Sequence, residues 1–383
     1  MSLTSGLFGW LTLLLTVGAF VAVVIAWPAM AGKAPLRIAG RVGMLLGVNM
    51  LVVLTAAVQL NDQFLFFADW TDLDGALGGT STSSTLHGGG TASKAAAAPV
   101  AGPAASAPGR TPQPLPAGSR IQDGVVSYQV TGPLSGVTTS VLVTLPPGYD
   151  PADATTSYPV LETFSGYPGS VSQWVKTMRV QSALAEQVAA HRMRPAIVVS
   201  PQLEVPPGTD TECVDGGPAG PAVETFVTRD VPDWIATHFR VRTDRGSWAT
   251  IGLSAGGWCA AMAALLHPAQ YGGAVVMGGY FRPEFGAAYE PFPPHSDALK
   301  RYDLVAAVRR TSPPLALWVE TSHADPVSYS SSTALLKAAR PPLSVTATVL
   351  QNSGHRIGVW QGLLPDALKW LGSSLPGFAA TSP

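Results

Sequence analysis

Gly252-Leu253-Ser254-Ala255-Gly256 is a Gly-x-Ser-x-Gly pentapeptide set between a short apolar run and a stretch of helix formers. Upstream, Ser247-Trp248-Ala249-Thr250-Ile251 is partly β-branched and reads as a buried strand. Downstream, residues 258–266 are rich in Ala, Leu and Met and end at His267-Pro268, where proline stops a helix. Small residues two before and two after the serine permit a sharp, strained turn that holds its hydroxyl clear of the sheet and leaves room for the following helix. Strand, elbow and helix in that order predict a nucleophilic Ser254.

Working outward from the elbow, residues 125–130 and 138–145 read as an antiparallel pair around the turn Gly132-Pro133-Leu134-Ser135-Gly136. Strands and helices then alternate: strand 158–164, helix 170–191, strand 195–201 and helix 223–239 before the elbow. Strands 273–278, 315–321 and 345–351 and a final helix 359–371 follow it. This alternation predicts an α/β fold, a mostly parallel sheet with helices on both faces. Residues 281–314, rich in Phe, Tyr, Pro and Gly with a short helix over 296–309, form an insertion that either covers a pocket or packs for stability.

A serine hydroxyl is a weak nucleophile, so it needs a base and a carboxylate that orients the base. After a strand–elbow–helix serine the chain order is Ser, then Asp or Glu, then His. His87, His191 and His238 precede Ser254, and His267 closes the helix after the elbow, where it would cap the C-terminus. His355, on the turn that follows the last strand, is the candidate base, with His323 as its rival. Asp325, just past the preceding strand, is the candidate acid, and Glu320, near that strand's end, is the alternative. Backbone N–H groups of Ala255 and of Tyr167, in Ser165-Gly166-Tyr167-Pro168-Gly169, would hold the oxyanion. No His or Cys cluster has metal-ligand spacing and no phosphate loop is present, so neither metal nor cofactor is expected.

The first 62 residues differ in kind. Residues 7–27 and 42–60 carry no charge and are each long enough to cross a bilayer, which predicts a membrane anchor of two transmembrane helices. Lys33, Arg37 and Arg41 fall between them and place that loop in the cytoplasm, so the rest of the chain is expected outside. Residues 63–119 read as a juxtamembrane aromatic segment and a flexible, low-complexity linker, and 120–383 as the folded domain. A net charge of −1 with no basic cluster outside the anchor argues against a nucleic-acid partner. In an oxidising exterior Cys213 and Cys259 could pair; the other reading is two unconnected residues, one buried behind the elbow and one on a loop.

The domain from about residue 124 onward resembles the putative-esterase branch of the α/β-hydrolases, which contains esterase D-like enzymes and the secreted mycolyltransferases. The resemblance is carried by Phe164-Ser165-Gly166-Tyr167, Arg229-Asp230-Val231-Pro232-Asp233-Trp234, Gly252 to Gly257, and Gly354-His355 with Trp360 beyond. It implies a triad of Ser254, Asp325 and His355 with Ala255 and Tyr167 lining the oxyanion hole. Two departures concern the substrate: Ser165 stands where that family usually has Asp or His, and secreted mycolyltransferases lack membrane spans. The expectation is an extracytoplasmic serine esterase acting on an ester or lipid-like small molecule and anchored in membrane lipids. An acyltransferase passing the acyl group to a sugar or lipid alcohol is the alternative, and an inactive envelope-binding module a third reading.

Overall fold

The computed structural model describes residues 3–64, 66–76, 83–90, 112–153 and 155–380. The chain forms two compact units, Met1–Thr82 with Gln351–Arg356, and Ser83–Leu350 with Ile357–Pro383.

The first unit is built on α1 (Gly6–Ala26) and α2 (Pro35–Phe64), both long and apolar enough to cross a membrane. Thr16 Oγ1 lies 2.8 Å from Thr55 Oγ1 between the two helices. The second helix starts earlier than composition indicates, so Arg37 and Arg41 lie in its first turns and not in the loop. Pro35 suits a helix start, where the missing N–H costs nothing. Both guanidinium groups reach back to the loop, Arg37 Nη1 to Ala31 O at 2.7 Å and Arg41 Nη2 to Gly32 O at 3.0 Å. A short helix, α3 (Trp70–Ala76), follows.

Among the described residues the second unit contains ten strands in one sheet: β1 (Ser83–Gly89), β2 (Ser119–Gln122), β3 (Val125–Thr131), β4 (Thr138–Thr144), β5 (Val160–Phe164), β6 (Ile197–Pro201), β7 (Trp248–Leu253), β8 (Gly273–Met277), β9 (Ala316–Ser322) and β10 (Ser344–Leu350). Their order is β1-β10-β9-β8-β7-β5-β6-β4-β3-β2. From β10 to β6 all neighbours are parallel, and the outer pairs are antiparallel. The five central strands β5 to β9 are buried at every position, as a sheet covered on both faces requires.

The helices are α4 (Val180–Ala189), α5 (Val231–His238), α6 (Ala255–Leu266), α7 (Asp297–Arg301), α8 (Leu304–Arg310), α9 (Pro326–Ala338) and α10 (Ile357–Ser374). The elbow helix α6, with α5, α8 and α9, packs in one apolar core, while α4 and α10 pack in another around Trp174, Trp360 and Phe378.

Three further expectations need correction. The linker is not featureless: α3 is helical, and β1 pairs with β10 from Ser83↔Leu350 to Gly89↔Ser344. An exposed edge strand lives on backbone hydrogen bonds and needs no apolar run, so composition hides it. Linker residues 77–82 and 91–111 lie outside the described residues. The helix expected over 170–191 is broken at Arg179, whose φ of 51° separates the turn Gln173–Thr177 from α4. The insertion holds two helices, not one, because Asp303 caps the second by accepting from Ala306 N. Helix α9 had no counterpart in the pattern of apolar residues: four of its first seven are serine, and its capping Asp325 starts it.

Candidate active site

Ser254 joins β7 to α6 with φ 54° and ψ −123°, a conformation a non-glycine residue adopts at a cost of roughly 1–3 kcal/mol. The turn is held by its own surroundings. Ser254 N–H donates to Met277 O at 2.9 Å, and Ser254 O accepts from Trp258 N–H at 3.1 Å. A Cβ on Gly252 would lie 1.8 Å from Gly256 O, and one on Gly256 would lie 2.2 Å from Phe164 O, so neither position admits a side chain. Behind the elbow, the buried Trp258 indole donates to Glu212 O at 2.7 Å. Cys259 is joined to Cys213 with S–S 2.01 Å and Cα–Cα 5.7 Å, tying α6 to the 202–213 segment.

The loop after β5 touches the elbow. A Cβ on Gly166 would lie 3.2 Å from Leu253 O and 3.4 Å from Ser254 Cβ. Within the loop, Gly166 N–H donates to Gln173 Oε1 and Gly169 N–H to Glu204 Oε1, and Pro168 has no N–H. Ser165 Oγ donates to Ser170 O at 2.8 Å and so braces the loop from within. Tyr167 turns its phenol outward to Gly208 O. Ala255, buried, is the first residue of α6, where N–H groups have no intrahelical acceptor.

Beside Ala255 and Tyr167 lies a cleft walled by the disulfide and by Glu204, Asp210 and Glu212. Burial, then the charge of Asp210, pushes the Glu212 carboxyl up to about 8, against the opposing hydrogen bond from Tyr280 Oη. Glu284 is also raised, by burial and then by the charge of Asp325.

Of the two candidate acids, Glu320 is still inside β9, and its Oε2 accepts from Gly278 N–H at 2.9 Å and Trp360 Nε1–H at 3.1 Å. These bonds tie β8, β9 and α10 together. Asp325 lies past the end of β9 and caps α9 by accepting from Ser328 N–H at 3.2 Å. Ser254 and Asp325 thus leave β7 and β9, two parallel strands flanking β8, at the same edge of the sheet.

The rival histidines have other attachments. His323 packs its ring 4.2 Å from that of Tyr329, and His267 does close α6 through its backbone but directs Nε2 to Glu224 Oε1 at 2.7 Å. Asp230, in the stretch that carried the resemblance, accepts from Leu134 N–H and Ser135 N–H and so fixes the β3–β4 turn.

His355 follows β10 on the loop 351–356, which belongs to the first unit. That loop is gripped by the segment after α2. Asn352 Nδ2 donates to Asp69 Oδ1 at 2.9 Å, Gly354 N–H to Asp72 Oδ2 at 2.7 Å, and Arg356 Nη1 to Asp72 Oδ2 at 2.7 Å and Phe66 O at 3.1 Å. Sequence reading missed Asp69 and Asp72. Their only signal is two carboxylates three residues apart within an aromatic stretch, which reads equally well as a solvated helix start.

A family model described as putative esterase matches residues 135–374. An uncharacterized protein of Corynebacterium glutamicum is 32% identical over 128 residues, which cover 33% of this chain; the chain spans 30% of that relative's length. Among solved structures, a ferulic acid esterase superposes with a TM-score of 0.52 at 20% identity, covering 64% of this chain and 96% of that one. An S-formylglutathione hydrolase from Agrobacterium tumefaciens gives 0.52 at 16% identity, covering 68% and 98%. At these identities the structural likeness establishes the α/β-hydrolase fold.

Proposed function

The chain belongs to the putative-esterase family, and from that premise we propose that it is a membrane-anchored serine hydrolase of carboxylic esters. The observation that carries the reading is Ser254 in a strained strand–helix elbow, with a glycine-bearing loop packed against its Cβ. Strain at one serine, maintained by glycines that admit no side chain, is what exposing a nucleophile requires.

In this reading Ser254 Oγ attacks the ester carbonyl carbon while His355 takes its proton. The oxyanion is received by the N–H of Ala255 and that of Tyr167, since the amides of Gly166 and Gly169 already have acceptors and Pro168 has none. His355 then protonates the departing alcohol, and water, deprotonated by the same imidazole, releases the acid from Ser254. Asp325 orients His355; Glu320 is left in its structural role by its bonds to Gly278 and Trp360. The length and apolar character of α1 and α2 support their role as the anchor, and by the positive-inside rule Lys33, Arg37 and Arg41 at one end of the hairpin favour a catalytic domain on the outer side. The substrate is an ester or lipid-like small molecule reached from there.

A fluorophosphonate probe tests this directly. Wild type should be labelled and should hydrolyse p-nitrophenyl esters, and Ser254→Ala should lose labelling and fall by at least about 10⁴-fold in kcat. A wild type that resists the probe overturns the reading.

A further inference from the structure

The loop that carries His355 has no regular secondary structure of its own, so its conformation depends on what its polar groups bond to. Within the first unit those partners come from one short segment. Asp72 Oδ2 accepts from Gly354 N–H and from the Arg356 guanidinium, the residues on either side of His355. The Asp72 side chain is 2% exposed, and a third donor, Ala68 N–H, reaches the same oxygen at 3.0 Å. Asp69 adds its own grip: Oδ1 accepts from Asn352 Nδ2 and from Asp72 N–H at 2.9 Å, and the Asn352 bond leads the causes that hold its carboxyl below the usual range. The Arg356 guanidinium lies 4.9 Å over the Phe67 ring. Phe67 is in turn fixed to the last turns of α2 through both ends of the Asn61 amide, at 2.7 and 2.9 Å.

Hydrogen bonds therefore lead from the second long apolar helix at Asn61 to Phe67, and from the next residue, Ala68, through Asp72 to both neighbours of His355. We propose that Asp72 is a positioning residue for His355, so that the segment leaving the membrane is part of the catalytic apparatus as well as its tether. The inference rests on His355 being the base. One buried carboxylate holds the backbone before His355 and the side chain after it, which restrains the loop that presents the imidazole, as a general base in a loop needs. A cradle that served stability alone would have no reason to converge on the two residues that bracket the imidazole.

The test uses the full-length protein in detergent micelles with p-nitrophenyl butyrate. Asp72→Ala should lower kcat roughly 10- to 100-fold, the scale of loss from a misplaced catalytic group, with KM within about twofold. Asp72→Glu, which keeps a carboxylate, should recover part of that loss. In a His355→Ala background, Asp72→Ala should add no further loss, because it acts only through the histidine. Should Asp72→Ala fail to accumulate as folded protein, Asn352→Ala, which removes a single bond, should still lower kcat several-fold at constant KM. Wild-type kcat in the folded variants, or a rise in KM alone, overturns the positioning role. His355→Ala with wild-type activity overturns instead the assignment of the base, so the two failures are distinguishable.

Discussion

The serine elbow and the histidine loop both follow parallel strands of one sheet, and they are built by opposite means. Around Ser254 the constraints are mainly steric: Gly252 and Gly256 have no room for a side chain and the β5 loop packs against the turn, with one backbone bond to Met277 O beside them. Around His355 the constraints are polar and remote, with Gly354 and Asp72 lying 282 residues apart. A nucleophile can be presented by local strain, because its orientation follows from the turn. The candidate base lies on a loop without regular structure, has no such turn to inherit, and takes its position from another part of the chain.

Three changes probe the elbow side of this contrast, to be set against the Asp72 series on the other. The largest effect is expected from Gly256→Ala, whose Cβ would meet Phe164 O at 2.2 Å and Ser165 O at 2.5 Å. Overlap with backbone on that scale should cost about 3 kcal/mol or more and abolish probe labelling. Urea denaturation checks it, and a wild-type midpoint would break the contrast by showing that the elbow yields.

The Cys213–Cys259 bridge closes a separation of 46 residues. Replacing both with serine should remove about 4 kcal/mol in the chain-entropy model, read as a lowered urea midpoint. A loss under about 1 kcal/mol would mean that packing alone holds α6 against the 202–213 segment.

The smallest effect is a dependence on pH. Glu162, on β5 beside the elbow strand, is pushed up to about 8 by burial, against the opposing bond from Tyr271 Oη. The unfolded chain releases this proton near 4.5, whereas the folded protein keeps it. Its contribution to stability is therefore complete below that value and is lost as pH rises through about 8. Glu212 loses stability in the same direction, with its own carboxyl at about 8. Glu162→Gln should flatten roughly half of the decline in Tm between pH 5 and 8, and an unchanged slope would remove Glu162 from the account.

Much of the second unit was legible in residue order. Apolar runs long enough to be buried strands alternated with helix formers, and the elbow stood out because small residues at fixed positions are a local steric demand. The candidate triad could be ordered along the chain for the same reason: each member lies just past a strand. Three features were not legible. Ser83–Gly89 joins the sheet by backbone bonds, to which side-chain patterns are blind. Arg37 and Arg41 read as loop charges because nothing local shows that their guanidinium groups turn back onto Ala31 and Gly32. Glu320 and Asp325 read alike as candidate acids, and residue order gives no sign that the first accepts from Gly278 N–H and the Trp360 indole.

Residue order alone determined the elbow, the parallel α/β sheet and two helices long enough to span a bilayer, since each follows from short-range sterics or from the length of an apolar run. Only the tertiary structure decided which carboxylate is tied up in the sheet and how a segment of linker composition becomes an edge strand. It alone showed that Asp69 and Asp72 grip the histidine loop. Those are hydrogen bonds between residues far apart in the chain, and a polar side chain carries no mark of its partner until folding brings the two together.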